Sequence, residues 1–198
     1  MQINETKLAQ IARIDHGSHA KPEQGMCVME AVAWIAGEPF SDAPKCVPKT
    51  IAAAARRLND AISDDALRTE IMRPLIARVF GLSLDRYVET RRAYVAADHV
   101  TRTTAPMVME AIGWTDLAER ARSIEPILDK ATAQAARAKM VDIRAEAWRR
   151  RSAAAAAYAA AAAYAADAYD AYMQKMPDLR DAIYRSSAAM IVKMCEVA

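Results

Sequence analysis

Three features of the sequence predict an all-α fold. Only five of the 198 residues are glycine, well under the ~7% of average usage. Apolar residues recur at intervals of three and four, and no segment alternates with period two. Between Ile127 and Lys175 there is neither glycine nor proline. The expected architecture is a compact helical N-terminal domain over residues 1–125. Residues 126–198 then form a long Ala- and Tyr-rich helix turned back by a C-terminal amphipathic helix. That helical hairpin packs on the first part or on a second subunit.

Taken in order, the first helix is expected over Glu5–Ile14, with Leu8, Ile11 and Ala12 on one face, ending at the loop DHGSHAKPEQG. Met26–Ala36 follows, apolar on both faces and therefore a buried helix, closed by Gly37 as C-cap. Three prolines stiffen EPFSDAPKCVP, and Pro48 opens a helix to Ile62 whose inner face is Ile51, Ala55, Leu58 and Ile62. Ser63, Asp64 and Asp65 cap a helix interrupted at Pro74 and resumed to Gly81. Ser83 caps Leu84–Thr104, Pro106 opens a short helix ending at Gly113, and Thr115 caps Asp116–Ser123. A helix continuous from Ile127 to Lys175 would be roughly 70 Å long at 1.5 Å rise per residue. Along it Val141, Trp148, Ala155, Ala162 and Tyr169 recur every seven residues, with Tyr158 and Tyr172 beside them. Pro177 is expected to break the run before a last helix, Asp178–Cys195, with Leu179, Ile183, Met190 and Met194 on its face.

Composition excludes some functions. The 27 basic and 25 acidic residues leave a net charge of +2, so no strong field favours nucleic acid as the main partner. The opening MQINETKLAQ is polar and the three cysteines are odd in number. Both point to a cytoplasmic protein with reduced thiols. The uncharged stretch Ser152–Ala166 is shorter than the ~20 residues needed to span a bilayer, so no membrane role is expected. Phosphate-loop, dinucleotide, nucleophile-elbow and H-E-x-x-H patterns do not occur.

Chemistry-bearing residues crowd into Gly25–Ile62. Glu30 is an acid inside an apolar helix and needs a partner. Arg56 or Arg57 on the next helix is the expected clamp, with Asp42 and Asn59 completing the structural module. Two alternatives stay open. His16, His19, Cys27 and Cys46 could supply imidazole and thiolate to zinc, although no cofactor is expected in the leading reading. Cys27 near a helix start, with His19 as base and Glu30 one turn on, could form a catalytic thiol. Outside this module, Arg149, Arg150 and Arg151 with Tyr158, and Arg91 with Tyr94, are candidate binding residues for an anionic group or a protein surface. Around the latter pair lie Arg86, Tyr87, Arg92 and Arg102. The Ala–Tyr tract can pack in its own chain, form the seam of a homodimer, or engage another partner.

GMCVMEAVAWIAGEPFSDAPKCVPKTIAAAARRLNDAI resembles a family of uncharacterised proteins of actinobacteria and bacteriophages. Its pattern is G-x-C-x-M-E-A-V-A-x-x-A-G-E, then S-D-x-P-x-C, then a helix ending L-N-D-A. An Ala-rich tract with aromatics and a helix like DLRDAIYRSSAAMIVKM follow, with Tyr here where many relatives carry Trp. The resemblance implies a phage or mobile-element setting and no established activity. The functional expectation is thus a non-enzymatic, all-α binding protein, an accessory and conceivably anti-defence factor. Its target would be a host protein or a small anionic ligand. The alternative is a metal- or thiol-dependent enzyme centred on Cys27, His19, Glu30 and Cys46.

Overall fold

The computed structural model describes residues 3–161 and 166–198, the side chains of 153–176 excepted, and no strand occurs among them. Its helices are α1 (Glu5–Gln10), α2 (Val28–Ala36), α3 (Lys49–Ala61), α4 (Asp65–Met72), α5 (Leu75–Arg78) and α6 (Arg86–His99), followed by α7 (Ala105–Ala111), α8 (Thr115–Arg122), α9 (Lys130–Ala161) and α10 (Ala166–Cys195). A 3₁₀ turn at Pro22–Gln24 precedes α2, and a π turn at Val100–Thr104 joins α6 to α7. No helix among the described residues is long and apolar enough to cross a membrane.

Two compact units result: Met1–Ala96 with Tyr184–Ala198, and Ala97–Ile183. The division expected near residue 125 falls inside the second unit, and the end of α10 belongs to the first. The reason lies in the last turns of α10. Ile191 and Met194 are fully enclosed in the core of the first unit, a burial that stabilises by about 1.5–3 kcal/mol per side chain.

In the first unit the apolar helix α2 is buried from Val28 to Ala33 and again at Ile35, as its sequence predicts. Gly37 ends it at φ 70°, with its N–H on the carbonyls of Ala33 and Trp34. Lys7 adds a charged donor there, its Nζ 2.7 Å from the Trp34 carbonyl, where a cation complements the helix dipole. The α3 face of Ile51, Ala55 and Leu58 packs into the same core with Ile62. Two buried arginines close helix ends. Arg68 donates Nε to the Asn59 carbonyl at 3.0 Å, Nη2 to the Ile62 carbonyl at 2.5 Å and Nη1 to Asp65 at 2.5 Å. Arg92 donates to the carbonyls of Met194 at 3.1 Å and Ser83 at 2.6 Å, and pairs with Glu89 at 3.0 Å. Carbonyls orphaned at helix C-termini are thus satisfied by charged donors.

Several boundaries move from their expected places. α1 stops at Gln10; Ile11 turns to extended backbone, and Ile11 and Ile14 both enter the core. Asp85, rather than Ser83, caps α6, taking the N–H groups of Tyr87 at 2.8 Å and Val88 at 3.2 Å. Trp114, rather than Thr115, is the N-cap of α8. Pro106 stands in the first turn of α7, as expected, but no loop separates that helix from the π turn before it. The proline lacks the N–H and crowds the preceding turn, and the widened π turn ahead of it lets the backbone run on. Pro177 likewise lies inside the 30-residue α10, which forfeits a backbone bond at about 3 kcal/mol without ending.

In the second unit α7 packs on α8 and α8 on α9, burying Leu117, Ala118, Ala121, Ile124, Ala136 and Ile143. The expected stripe of α9 is not part of that face: Val141 and Trp148 are 58% and 55% exposed. Ile143 takes the inward position instead, roughly half a turn round the helix from Val141. Ala162 lies outside the described residues, and so do the side chains of Ala155, Tyr158, Tyr169 and Tyr172.

Candidate functional site: a buried acid and a cationic cleft

The acid of α2 is locked by its own N-terminal turn. Cys27 is the N-cap, and its Sγ accepts from the Glu30 N–H at 3.4 Å, while Glu30 Oε2 accepts from the Cys27 N–H at 2.8 Å. This is a capping box with a thiol in the hydroxyl position. The loop before it completes the set. The His19 N–H reaches Glu30 Oε1 at 2.5 Å and His19 Nδ1 lies 2.9 Å from Oε2. Glu30 is 1% exposed, so its carboxylate is solvated by these donors in place of water.

The expected arginine clamp is not observed. Arg56 donates to the Asp42 carbonyl at 2.8 Å, with the Asp42 carboxylate 3.9 Å away, and Arg57 is exposed. Both arginines point away from Glu30 because it sits at the first turn of α2, within reach of the 15–27 loop. Asn59 ties that loop to α3: its Oδ1 takes the Val28 N–H at 3.2 Å, and its Nδ2 reaches the Asp15 carbonyl at 2.9 Å. Gly25, at φ 125°, passes so close that a Cβ would meet Asp15 Oδ2 at 2.8 Å and His19 Nε2 at 3.0 Å.

These contacts bear on both alternative chemistries. Burial pushes the Cys27 thiol up to about 12, with the neighbouring Glu30 charge adding to the rise. His19, its expected base, is committed to Glu30. Among the described residues no three His, Cys, Asp or Glu side chains are grouped to hold a metal. His16 is exposed, and Cys46 lies beside Glu38, which together with burial raises its thiol to about 11. His16, His19, Cys27 and Cys46 therefore do not converge.

The other candidate arginines are also partnered; the side chain of Tyr158 lies outside the described residues. Arg149 pairs with Glu146 at 2.6 Å, and Arg150 bridges Glu146 at 3.0 Å and Asp116 at 2.6 Å. The bond from Arg150 holds the Asp116 carboxyl at about 2. Arg151 sits over the Trp148 ring at 5.3 Å. Of this run Arg150 bridges α9 to α8, while Arg149 and Arg151 are partnered within α9, as the spacing to Glu146 and Trp148 allows. Arg91 donates to the Ala198 carbonyl at 2.7 Å, Arg92 is buried and Tyr94 is half-buried. Arg102 pairs with Asp98 at 3.2 Å. Arg92 and Arg102 are thus turned to internal partners, while Tyr87, Arg91 and Tyr94, at i, i+4 and i+7, share one face of α6.

A cleft of about 810 Å³ opens instead on the proline-rich loop of the first unit. Pro44, Val47, Pro48, Ala52, Ala53 and Leu84 form its apolar walls, and Lys45, Lys49, Arg56 and Arg86 bring four cations to it. Glu89 is the only carboxylate among the lining residues, and it is already engaged. Its Oε2 takes the N–H of Thr50 at 2.9 Å and its hydroxyl at 3.0 Å, at the start of α3. Burial pushes the Glu89 carboxyl up, but the Thr50 bonds and Arg92 outweigh it and hold the group below its usual value. Among the described residues no carboxylate pairs with Lys45, Lys49 or Arg86. Sequence reading missed Lys45 and Lys49 as site residues and grouped Arg86 with Arg91 and Tyr94 instead. P-K-C-V-P-K sets two lysines four apart around a rigid loop, which was a usable signal; Arg86 arrives from a distant helix, and nothing local ties it to that loop.

No protein-family model, curated protein or solved structure matches this chain, so the cleft and the buried acid are read on their own geometry.

Proposed function

We propose that the protein is a non-catalytic binding protein whose ligand is a small anion held in the cleft of the first unit. One observation carries the reading: four cationic residues line an apolar cleft whose single carboxylate is spent on the α3 N-terminus. Concave, mostly apolar sites with a few polar groups at their rim are where ligands bind. A thiol enzyme is the weaker reading, because Cys27 is buried, un-ionised at neutral pH and paired to a capping role. In the phage or mobile-element setting that the Gly25–Ile62 signature implies, such a protein acts as an accessory factor by holding its anion rather than converting it.

Titration calorimetry with a panel of anions tests this. Hydrogen bonds to charged groups contribute about 1.5–3 kcal/mol, so Lys49→Glu or Arg86→Glu should weaken binding ten- to a hundredfold and flatten its dependence on ionic strength. If no anion binds at millimolar concentration, or if these reversals leave the affinity unchanged, the proposal fails.

A further inference from the structure

Resting on that reading, we infer that the cleft takes an aliphatic anion: a free acyl carboxylate whose chain lies along the proline wall and whose head group meets Lys49 and Arg86. The lining itself argues for this class. Among its residues there is no Phe, Tyr, Trp or His, so nothing stacks on a nucleobase or an aryl ring, which sites for such ligands recruit. The apolar wall is wholly aliphatic, supplied by Pro44, Val47, Pro48, Ala52 and Leu84. Leu84 is 57% exposed there, a large apolar side chain that gains from being covered.

The head group is placed by charge. Glu89 takes the Thr50 N–H in the first turn of α3, so that donor is spent and the full positive charges are those of side chains. Arg56 is partly committed to Asp42. That leaves Lys45, Lys49 and Arg86, charged groups carried on the loop, on α3 and on α6 around one apolar floor. A compact polyanion would use the cations and leave the wall wet. An aliphatic carboxylate uses both.

The experiment is calorimetry of the full chain with butyrate, octanoate and dodecanoate below micelle formation, alongside dodecanol, inorganic phosphate and ATP. Each buried methylene tightens binding about fourfold, so dodecanoate should bind on the order of a hundredfold more tightly than octanoate. Dodecanol should bind at least tenfold more weakly than dodecanoate. Leu84→Ser, at an exposed position that leaves the core intact, should weaken dodecanoate several-fold and leave butyrate unchanged, whereas Lys49→Glu should weaken every anion. Binding of ATP or phosphate with no dependence on chain length would overturn the aliphatic assignment and leave the anion site standing. Equal affinity for dodecanol, or binding to phosphatidylglycerol vesicles without binding of monomeric dodecanoate, would also overturn it. Silence from every anion would remove the parent reading as well.

Discussion

Replacing Glu30 with alanine removes the acceptor for three donors at once: the N–H groups of Cys27 and His19 and the His19 ring nitrogen. The ring can turn to water, since the His19 side chain is 16% exposed. The Cys27 N–H is buried with no other acceptor in its turn, and a buried donor left unpaired costs about 1–3 kcal/mol. The His19 N–H adds a similar amount, because its loop is held down by Asn59 and cannot open freely. The total expected loss is about 3–5 kcal/mol, the size usual for removing one member of a buried charged pair. Urea unfolding followed by Trp34 fluorescence, with Trp114→Phe and Trp148→Phe in the background, reports this for the first unit. With a slope of about 2 kcal/mol per molar urea, the midpoint should fall by roughly 2 M. Glu30→Gln keeps one carbonyl oxygen and should lose about half as much. A loss under about 1 kcal/mol would refute the reasoning. A gain in stability would indicate a carboxylate kept for chemistry at the expense of the fold.

Gly25→Ala should destabilise the first unit by about 2–3 kcal/mol, since it combines a positive-φ backbone with a Cβ pressed on Asp15 and His19; an urea midpoint unchanged within error would contradict the close approach. With its thiol raised to about 12, Cys27 is thiolate in about one molecule in ten thousand at pH 8. Iodoacetamide mapped by peptide mass spectrometry should therefore label Cys46 well before Cys27. Glu89 titrates below its usual 4.5 in the folded chain, so its contribution is present above that value and is lost as pH falls through the lower folded value. Acid unfolding of Glu89→Gln should consequently show a shallower loss of stability below pH 4.5 than the parent protein, and parallel curves would rule the linkage out.

The helices were legible because their signals are local. A run apolar on every side can only be a buried helix, and α2 is one. Gly37 ends it because a left-handed residue there is cheapest as glycine. The partner of Glu30 was not legible, for a reason of geometry. Reading along α3 suggested an arginine, because charge was sought on the neighbouring helix. Two of the actual donors are backbone N–H groups, which no side-chain pattern advertises, and the third is the His19 ring. Cys-x-x-Glu at a helix start does carry the capping-box spacing, but a thiol stood where serine or threonine is expected. Nothing in the sequence marks Arg68 and Arg92 as buried caps, because the carbonyls they serve lie nine and about a hundred residues away. The cleft was half legible: its two lysines flank a proline loop, while Arg86 and Leu84 come from the start of α6.

The loop that forms the cleft wall is also held by some of the groups that give the cleft its charge, and this decides which substitutions inform. Glu38 takes the N–H of Lys45 at 2.6 Å, and Arg56 holds the Asp42 carbonyl at 2.8 Å, so both ends of the wall depend on polar contacts across the proline segment. Removing Arg56 therefore subtracts a cation and loosens the wall together, and a weaker affinity after Arg56→Ala would not separate the two. Lys49 and Arg86 have no such second duty among the described residues, so their reversal reads charge alone. Comparing Arg56→Ala with Lys49→Glu on two ligands turns this asymmetry into a measurement. If Arg56 acts chiefly through the wall, its loss should weaken a long-chain anion more than butyrate; if through charge alone, it should weaken both by the same factor, as Lys49→Glu does.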